Sequence, residues 1–157
     1  ALRRRRAQTR RRIRIQGREQ SISMENRLII NCDGGSRGNP GPAAIGAVVG
    51  LKEYAEKIGR TTNNVAEWTS LVFSMKKAKQ ILGKAKAKQT VLEIRMDSEL
   101  VIKQVNGEYK ILNPDLQSLF IDVWNLKQDF QKAEFRRVPR EENKRADYLV
   151  NLALDSK

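Results

Sequence analysis

Arg27-Leu28-Ile29-Ile30-Asn31-Cys32-Asp33-Gly34-Gly35-Ser36-Arg37-Gly38-Asn39-Pro40-Gly41-Pro42 is the stretch on which the fold turns. Leu28 to Cys32 is a short, mostly apolar run, which reads as a buried strand. It ends in Asp33, and a turn rich in glycine and proline follows at once. A carboxylate at a strand end can meet a ligand without being mobile. Gly34, Gly35, Gly38 and Gly41 permit close backbone approach, which suits a phosphate or sugar lying against the loop. On its own the stretch reads equally as a hairpin turn with a solvated Asp. The other carboxylates of the chain decide between the two.

Upstream, residues 1–26 begin Ala-Leu-Arg-Arg-Arg-Arg and show no sustained periodicity, so they read as a basic, disordered tail ahead of a domain spanning 27–157. Three origins are open for the tail: organelle targeting, a nucleic-acid anchor, or sequence upstream of the domain, with Met24 as a natural start.

Downstream, Ala44 to Val49 and Glu53 to Ile58 read as two more strands of a meander. Thr61-Thr62-Asn63-Asn64 then caps a helix in which Trp68, Leu71, Val72, Met75, Ala78 and Leu82 recur at helical spacing. Gly83 ends it, and the Lys-rich 83–89 segment reads as a solvated loop. Val91 to Met96 is a fourth strand, running into Asp97-Ser98-Glu99 and a helix closed by Asn106-Gly107. Asn113-Pro114-Asp115 starts another helix, with proline at its first position. Leu116, Leu119, Phe120, Val123 and Trp124 form its expected buried stripe. Ala133 to Val138 is a fifth strand, and Asn143 to Leu154 a last helix with Ala146, Leu149, Val150 and Ala153 inward. Three strands followed by helices alternating with two more predict an α/β sheet covered by helices.

Composition narrows the chemistry. The chain has 157 residues, one cysteine (Cys32) and no histidine. A disulfide framework and a cysteine-based zinc site are excluded, and the commonest general base is missing. Any catalysis rests on carboxylates, hydroxyls or a metal held by oxygen. No apolar run approaches a membrane span. The net charge of +13 is uneven: residues 1–27 hold ten Arg against two Glu, or +8, and the rest carry +5. Such a balance favours polyanions, nucleic acid before membrane.

Asp33 ends the first strand, Glu67 falls in the first turn of a helix, Asp97 ends the fourth strand, and Asp147 lies early in the last helix. Each has a plain alternative as a cap or a helix-dipole partner. Together they make the kind of oxygen-only cluster that hard divalent cations require.

Four motifs, in order, resemble type I ribonuclease H: Asp33-Gly34-Gly35-Ser36-x-Gly38-Asn39-Pro40-Gly41-Pro42, Thr62-Asn63-Asn64-x-Ala66-Glu67, Asp97-Ser98, and Asn143-x-x-Ala146-Asp147. The resemblance covers about Arg27 to Leu154. It implies a ribonuclease H-like fold, with a five-stranded mixed sheet of three antiparallel strands and then two parallel ones, flanked by helices. It also implies endonucleolytic hydrolysis of the RNA strand of RNA–DNA hybrids, leaving 5′-phosphate and 3′-hydroxyl ends. By that resemblance Asp33, Glu67, Asp97 and Asp147 hold two Mg²⁺ (Mn²⁺ being the alternative) roughly 4 Å apart. Gly34, Ser36, Asn39, Asn63 and Asn64 line the substrate, the three asparagines reading ribose 2′-hydroxyls. Thr62 and Asn113 match a pocket for a phosphate of the DNA strand, and each also serves as a helix cap.

Three departures from the family pattern stand out. The basic helix and loop that grips the hybrid in the better-known form is absent, since only 107–112 separates the two central helices; affinity then falls to Lys84, Lys86, Lys88 or the Arg tail. Glu99 stands where many relatives have Gln. The loop before the last helix lacks the usual histidine and offers Arg137 and Arg140, of which Arg140 is the expected catalytic participant and Arg137 an expected substrate contact. The expected setting is a cytoplasmic monomer without an obligate protein partner or membrane. The alternatives are the ribonuclease H domain of a reverse transcriptase or polyprotein, and a hybrid- or double-strand-binding module without cleavage.

Overall fold

The computed structural model describes residues 10–15, 18–23 and 26–157, with side chains from residue 26 onward. The domain is built on five strands: β1 (Asn26–Ser36), β2 (Gly41–Val49), β3 (Lys52–Thr61), β4 (Thr90–Met96) and β5 (Lys132–Arg137). They lie in the order β3-β2-β1-β4-β5. β1–β2 and β2–β3 pair antiparallel, whereas β1–β4 and β4–β5 pair parallel, as the sequence predicts. The helices are α1 (Asn63–Leu82), α2 (Lys84–Ala87), α3 (Glu99–Val105), α4 (Pro114–Lys127) and α5 (Lys144–Asp155), the last entered through a 3₁₀ turn at Arg140–Asn143.

Alternation along β1 sends Ile30 and Cys32 into the main core, where they meet Trp68, Leu71 and Met75 of α1 and Leu92, Ile94 and Met96 of β4. α1 fixes its own start: the Thr62 hydroxyl accepts the Val65 N–H at 3.3 Å. Trp68 is fully buried and donates its indole N–H to Gln104 at 3.1 Å, tying α1 to α3. The other side of the sheet is partly covered by α5, whose Val150 and Ala153 pack on Ala44 of β2. Among the described residues no helix is long and apolar enough to cross a membrane.

Several sequence expectations need correction. β1 does not stop at Asp33: Gly34, Gly35 and Ser36 pair with Ile45, Ala44 and Ala43, and only the residues from Arg37 to Pro40 form the turn. Gly34 serves close packing: a Cβ there would lie 2.1 Å from the Ala66 carbonyl oxygen of α1. The 83–89 segment contains the one-turn helix α2, closed by the Thr90 hydroxyl on the Lys86 carbonyl at 2.8 Å. Trp124 is 54% exposed, because α4 rests on the core through Leu116 and Val123 and turns Trp124 outward under Lys127. Within the stretch read as a tail, Arg10–Ile15 pairs antiparallel with Arg18–Ser23 in a separate two-stranded sheet. Within Arg10–Ile15 the sequence alternates Ile13 and Ile15 with Arg12 and Arg14, a strand-like period. The tail reading for 1–9, 16–17 and 24–25 lies outside the described residues.

Candidate active site

Parallel pairing places two carboxylates side by side. The β1–β4 register matches Asn31 with Arg95; carried two residues on, it sets Asp33 level with Asp97. Glu67 reaches the same end of the sheet from α1, and Asp147 from the first turn of α5. Glu67 sits one turn deeper than the sequence reading had it, because the helix already begins at Asn63. The approach of α5 is close: a Cβ on Gly46 of β2 would lie 2.3 Å from the Ala146 carbonyl oxygen. All four carboxylates line one cleft, together with Gly34, Gly35, Ser36, Arg37, Asn63 and Arg140.

Electrostatics confirms their proximity. The Asp33 carboxyl is pushed up to about 8, first by burial and then by the charges of Asp97, Asp147 and Glu67, against a lowering bond from the Gly34 N–H. Burial likewise raises Glu67, opposed by hydrogen bonds from Ser98 and Asn63 and assisted by the Asp97 charge. Beneath them the Cys32 thiol is driven up to about 12 by burial, so it stays protonated and unreactive.

Each inner carboxylate has a local donor. Gly34 N–H bonds Asp33 at 2.9 Å, and the Asn63 amide bonds Glu67 at 3.3 Å. Asp97 receives the Asn143 amide at 3.3 Å and the Arg140 guanidinium at 3.4 Å. Among the described residues no three His, Cys, Asp or Glu side chains converge as a ready-made metal cage. The donor chemistry nevertheless fits a hard divalent cation: four carboxylates, no histidine, and a buried Asp33 whose carboxyl is raised to about 8 by burial and then by its carboxylate neighbours.

The remaining candidates divide. Asn39 accepts the Asn63 backbone N–H at 3.1 Å, so the glycine loop and the start of α1 are tied at the rim. Ser36 lines the cleft, and its buried hydroxyl oxygen has no partner among the described residues. Thr62, Asn64, Asn113 and Arg137 stand outside the cleft lining. Asn113 caps α4 through the Asp115 N–H at 2.9 Å. Arg137 ends β5, near Glu99, whose charge is met by Lys103 at 2.8 Å. Lys84, Lys86 and Lys88 lie beyond the far end of α1, roughly 25 Å along its axis from Glu67.

Asn143 is a site residue that motif reading recorded without a role. Only 2% exposed, it donates to the Cys32 carbonyl at 3.0 Å as well as to Asp97, and it accepts from Asn31 at 3.2 Å. It therefore joins β1, the end of β4 and the entry to α5. The available sequence signal was only its place in the Asn143-x-x-Ala146-Asp147 motif; that its side chain caps no helix is visible only in the structure.

A family model described as reverse transcriptase-like matches residues 31–153. A ribonuclease HI of Halobacterium salinarum is 40% identical over 129 residues, which is 78% of this chain and 62% of that protein. The solved structure of LC11 ribonuclease H1 in complex with an RNA/DNA hybrid superposes with a TM-score of 0.77 at 41% identity, over 82% of this chain and 96% of that one. The chain belongs to the type I ribonuclease H family. Family membership accounts for the shared fold and for the four motifs gathered at one end of the sheet. The bifunctional protein Rv2228c of Mycobacterium tuberculosis is also 40% identical, over 137 residues covering 83% of this chain. This ribonuclease H chain spans only 36% of that relative's length.

Proposed function

We propose that this chain hydrolyses the RNA strand of RNA–DNA hybrids endonucleolytically, with two Mg²⁺ held by Asp33, Glu67, Asp97 and Asp147. The observation that carries the reading is the four-carboxylate cleft, where burial first, and then the charges of Asp97, Asp147 and Glu67, raise Asp33 to about 8. Asp33, Glu67, Asp97 and Asp147 would hold the divalent cations, whose chemistry when bound would be activation of water and neutralisation of charge at the leaving 3′ oxygen; 5′-phosphate and 3′-hydroxyl ends are the products proposed.

The chain's own groups orient the substrate. Gly34 and Ser36 border the strand in the cleft, and Asn39, Asn63 and Asn64 offer amides to ribose 2′-hydroxyls, the feature that distinguishes RNA from DNA. Thr62 and Asn113, each at a helix start, take a phosphate of the DNA strand. Arg140, already on Asp97, holds a phosphate oxygen and helps draw the cut end away. It stays protonated and so is not a general base.

The test is a labelled hybrid incubated with the protein in Mg²⁺, in Mn²⁺ and in EDTA, beside DNA duplex and single-stranded RNA. Metal-dependent cutting of RNA in the hybrid alone is expected; equal rates on DNA duplex would overturn the assignment of the asparagines.

A further inference from the structure

Two guanidinium groups line the carboxylate cleft, and they are disposed differently. Arg140 rests on Asp97, one of the four carboxylates. Arg37 instead pairs at 2.7 Å with Asp155, the last residue of α5, which is outside the cleft lining. We infer that Arg37 is a phosphate-binding residue for the strand in the cleft, parked on Asp155 and transferred from it when nucleic acid binds. This rests on the hydrolase reading and names a contact within it.

The root of Arg37 is fixed, and its tip is held only by an exposed ion pair. Its backbone N–H donates to the Pro42 carbonyl at 2.8 Å. The loop folds so tightly that a Cβ on Gly41 would lie 2.1 Å from the Arg37 carbonyl oxygen. The side chains of Arg37 and Asp155 are 49% and 66% exposed, so solvent screens their pair and either partner exchanges readily. A phosphate offers the guanidinium paired acceptors of the same geometry. Taking Arg37 from Asp155 also leaves the four cleft carboxylates untouched. Drawing a cation from Asp97 would not.

A purely structural role is the competing account, since α5 has no basic residue in its last turn and Arg37 can serve as its terminal cation. The two accounts differ in sign at Asp155. Steady-state cleavage of an RNA–DNA hybrid in Mg²⁺ is measured for the unsubstituted chain, Arg37→Ala, Arg37→Lys and Asp155→Asn across a salt series, with thermal melts of each. Phosphate binding predicts that Arg37→Ala raises KM about tenfold, more than it lowers kcat. The salt slope should also flatten by about one, with Arg37→Lys in between. Asp155→Asn, which releases Arg37, should lower KM by about two- to fivefold. A raised KM in Asp155→Asn as well, or an unchanged KM in Arg37→Ala, would overturn the inference while leaving the hydrolase reading intact. No cleavage of the hybrid by the unsubstituted chain would overturn both.

Discussion

Replacing Asp33 with Asn should make the metal-free protein more stable at alkaline pH, although it removes a residue of the proposed centre. Asp33 has an ordinary carboxyl value of 3.8 when unfolded and about 8 when folded. Between those values the folded chain retains a proton that the unfolded chain has released. Raising the pH through this window therefore draws the equilibrium toward unfolding, and the penalty is complete only above the folded value. From about pH 5 to about pH 8, at about 1.4 kcal/mol per proton per unit, the ceiling is about 4 kcal/mol. Asp33 keeps some solvent contact, which brings the expectation to about 2 kcal/mol, or about 4–8 °C in Tm for a domain of this size. No histidine is present to titrate in the same range, so the background is unusually flat. Calorimetric melts in EDTA at several pH values would show the wild-type Tm falling toward alkaline pH and the Asp33→Asn curve higher and less steep, the remaining slope coming from Glu67. Adding Mg²⁺ should restore the wild type and leave the variant almost unmoved. Parallel pH curves for the two proteins would refute the raised carboxyl of Asp33, and with it the burial and neighbouring charge held to cause it.

Asp97→Asn should abolish cleavage while leaving the melting temperature within a few degrees; near-normal turnover in Mg²⁺ would remove it from the centre. Asn143→Ala leaves the Cys32 carbonyl and Asp97 each short of a donor and should cost about 2–3 kcal/mol in urea unfolding. Arg140→Ala should lower kcat by about ten- to a thousand-fold with an unshifted pH profile, since arginine does not titrate; an altered profile would assign the effect elsewhere.

The parts of the fold legible in the sequence were those written locally. Thr62 and Asn113-Pro114 mark helix starts by capping chemistry alone, and the apolar run from Leu28 to Cys32 marks a strand by its pattern. What escaped was set by tertiary contact. Gly34 and Gly35 look like turn residues in sequence, yet both pair with β2 and continue β1, and Gly34 gives α1 room against the strand. Trp124 falls on the apolar stripe of α4, but the helix meets the core through a narrower face. The four carboxylates were legible through their motifs. The brace formed by Asn143 was not, because its partners on β1 lie more than a hundred residues away in the chain and Asp97 lies 46 away.

The parallel pairing of β1 with β4 makes the gap between Asp33 and Asp97 a stepped quantity. Neighbouring parallel strands slide only in increments of their repeat, about 3.3 Å per residue, and a single-residue slip turns every following side chain to the opposite face. Gradual drift along this pair is thus closed to a diverging lineage: the two aspartates keep their spacing or lose it altogether. Fine adjustment falls to the helices that deliver Glu67 and Asp147, which can tilt or shift by fractions of an ångström. Variation in metal preference or pace among descendants of this chain should therefore accumulate where α1 and α5 seat against the sheet.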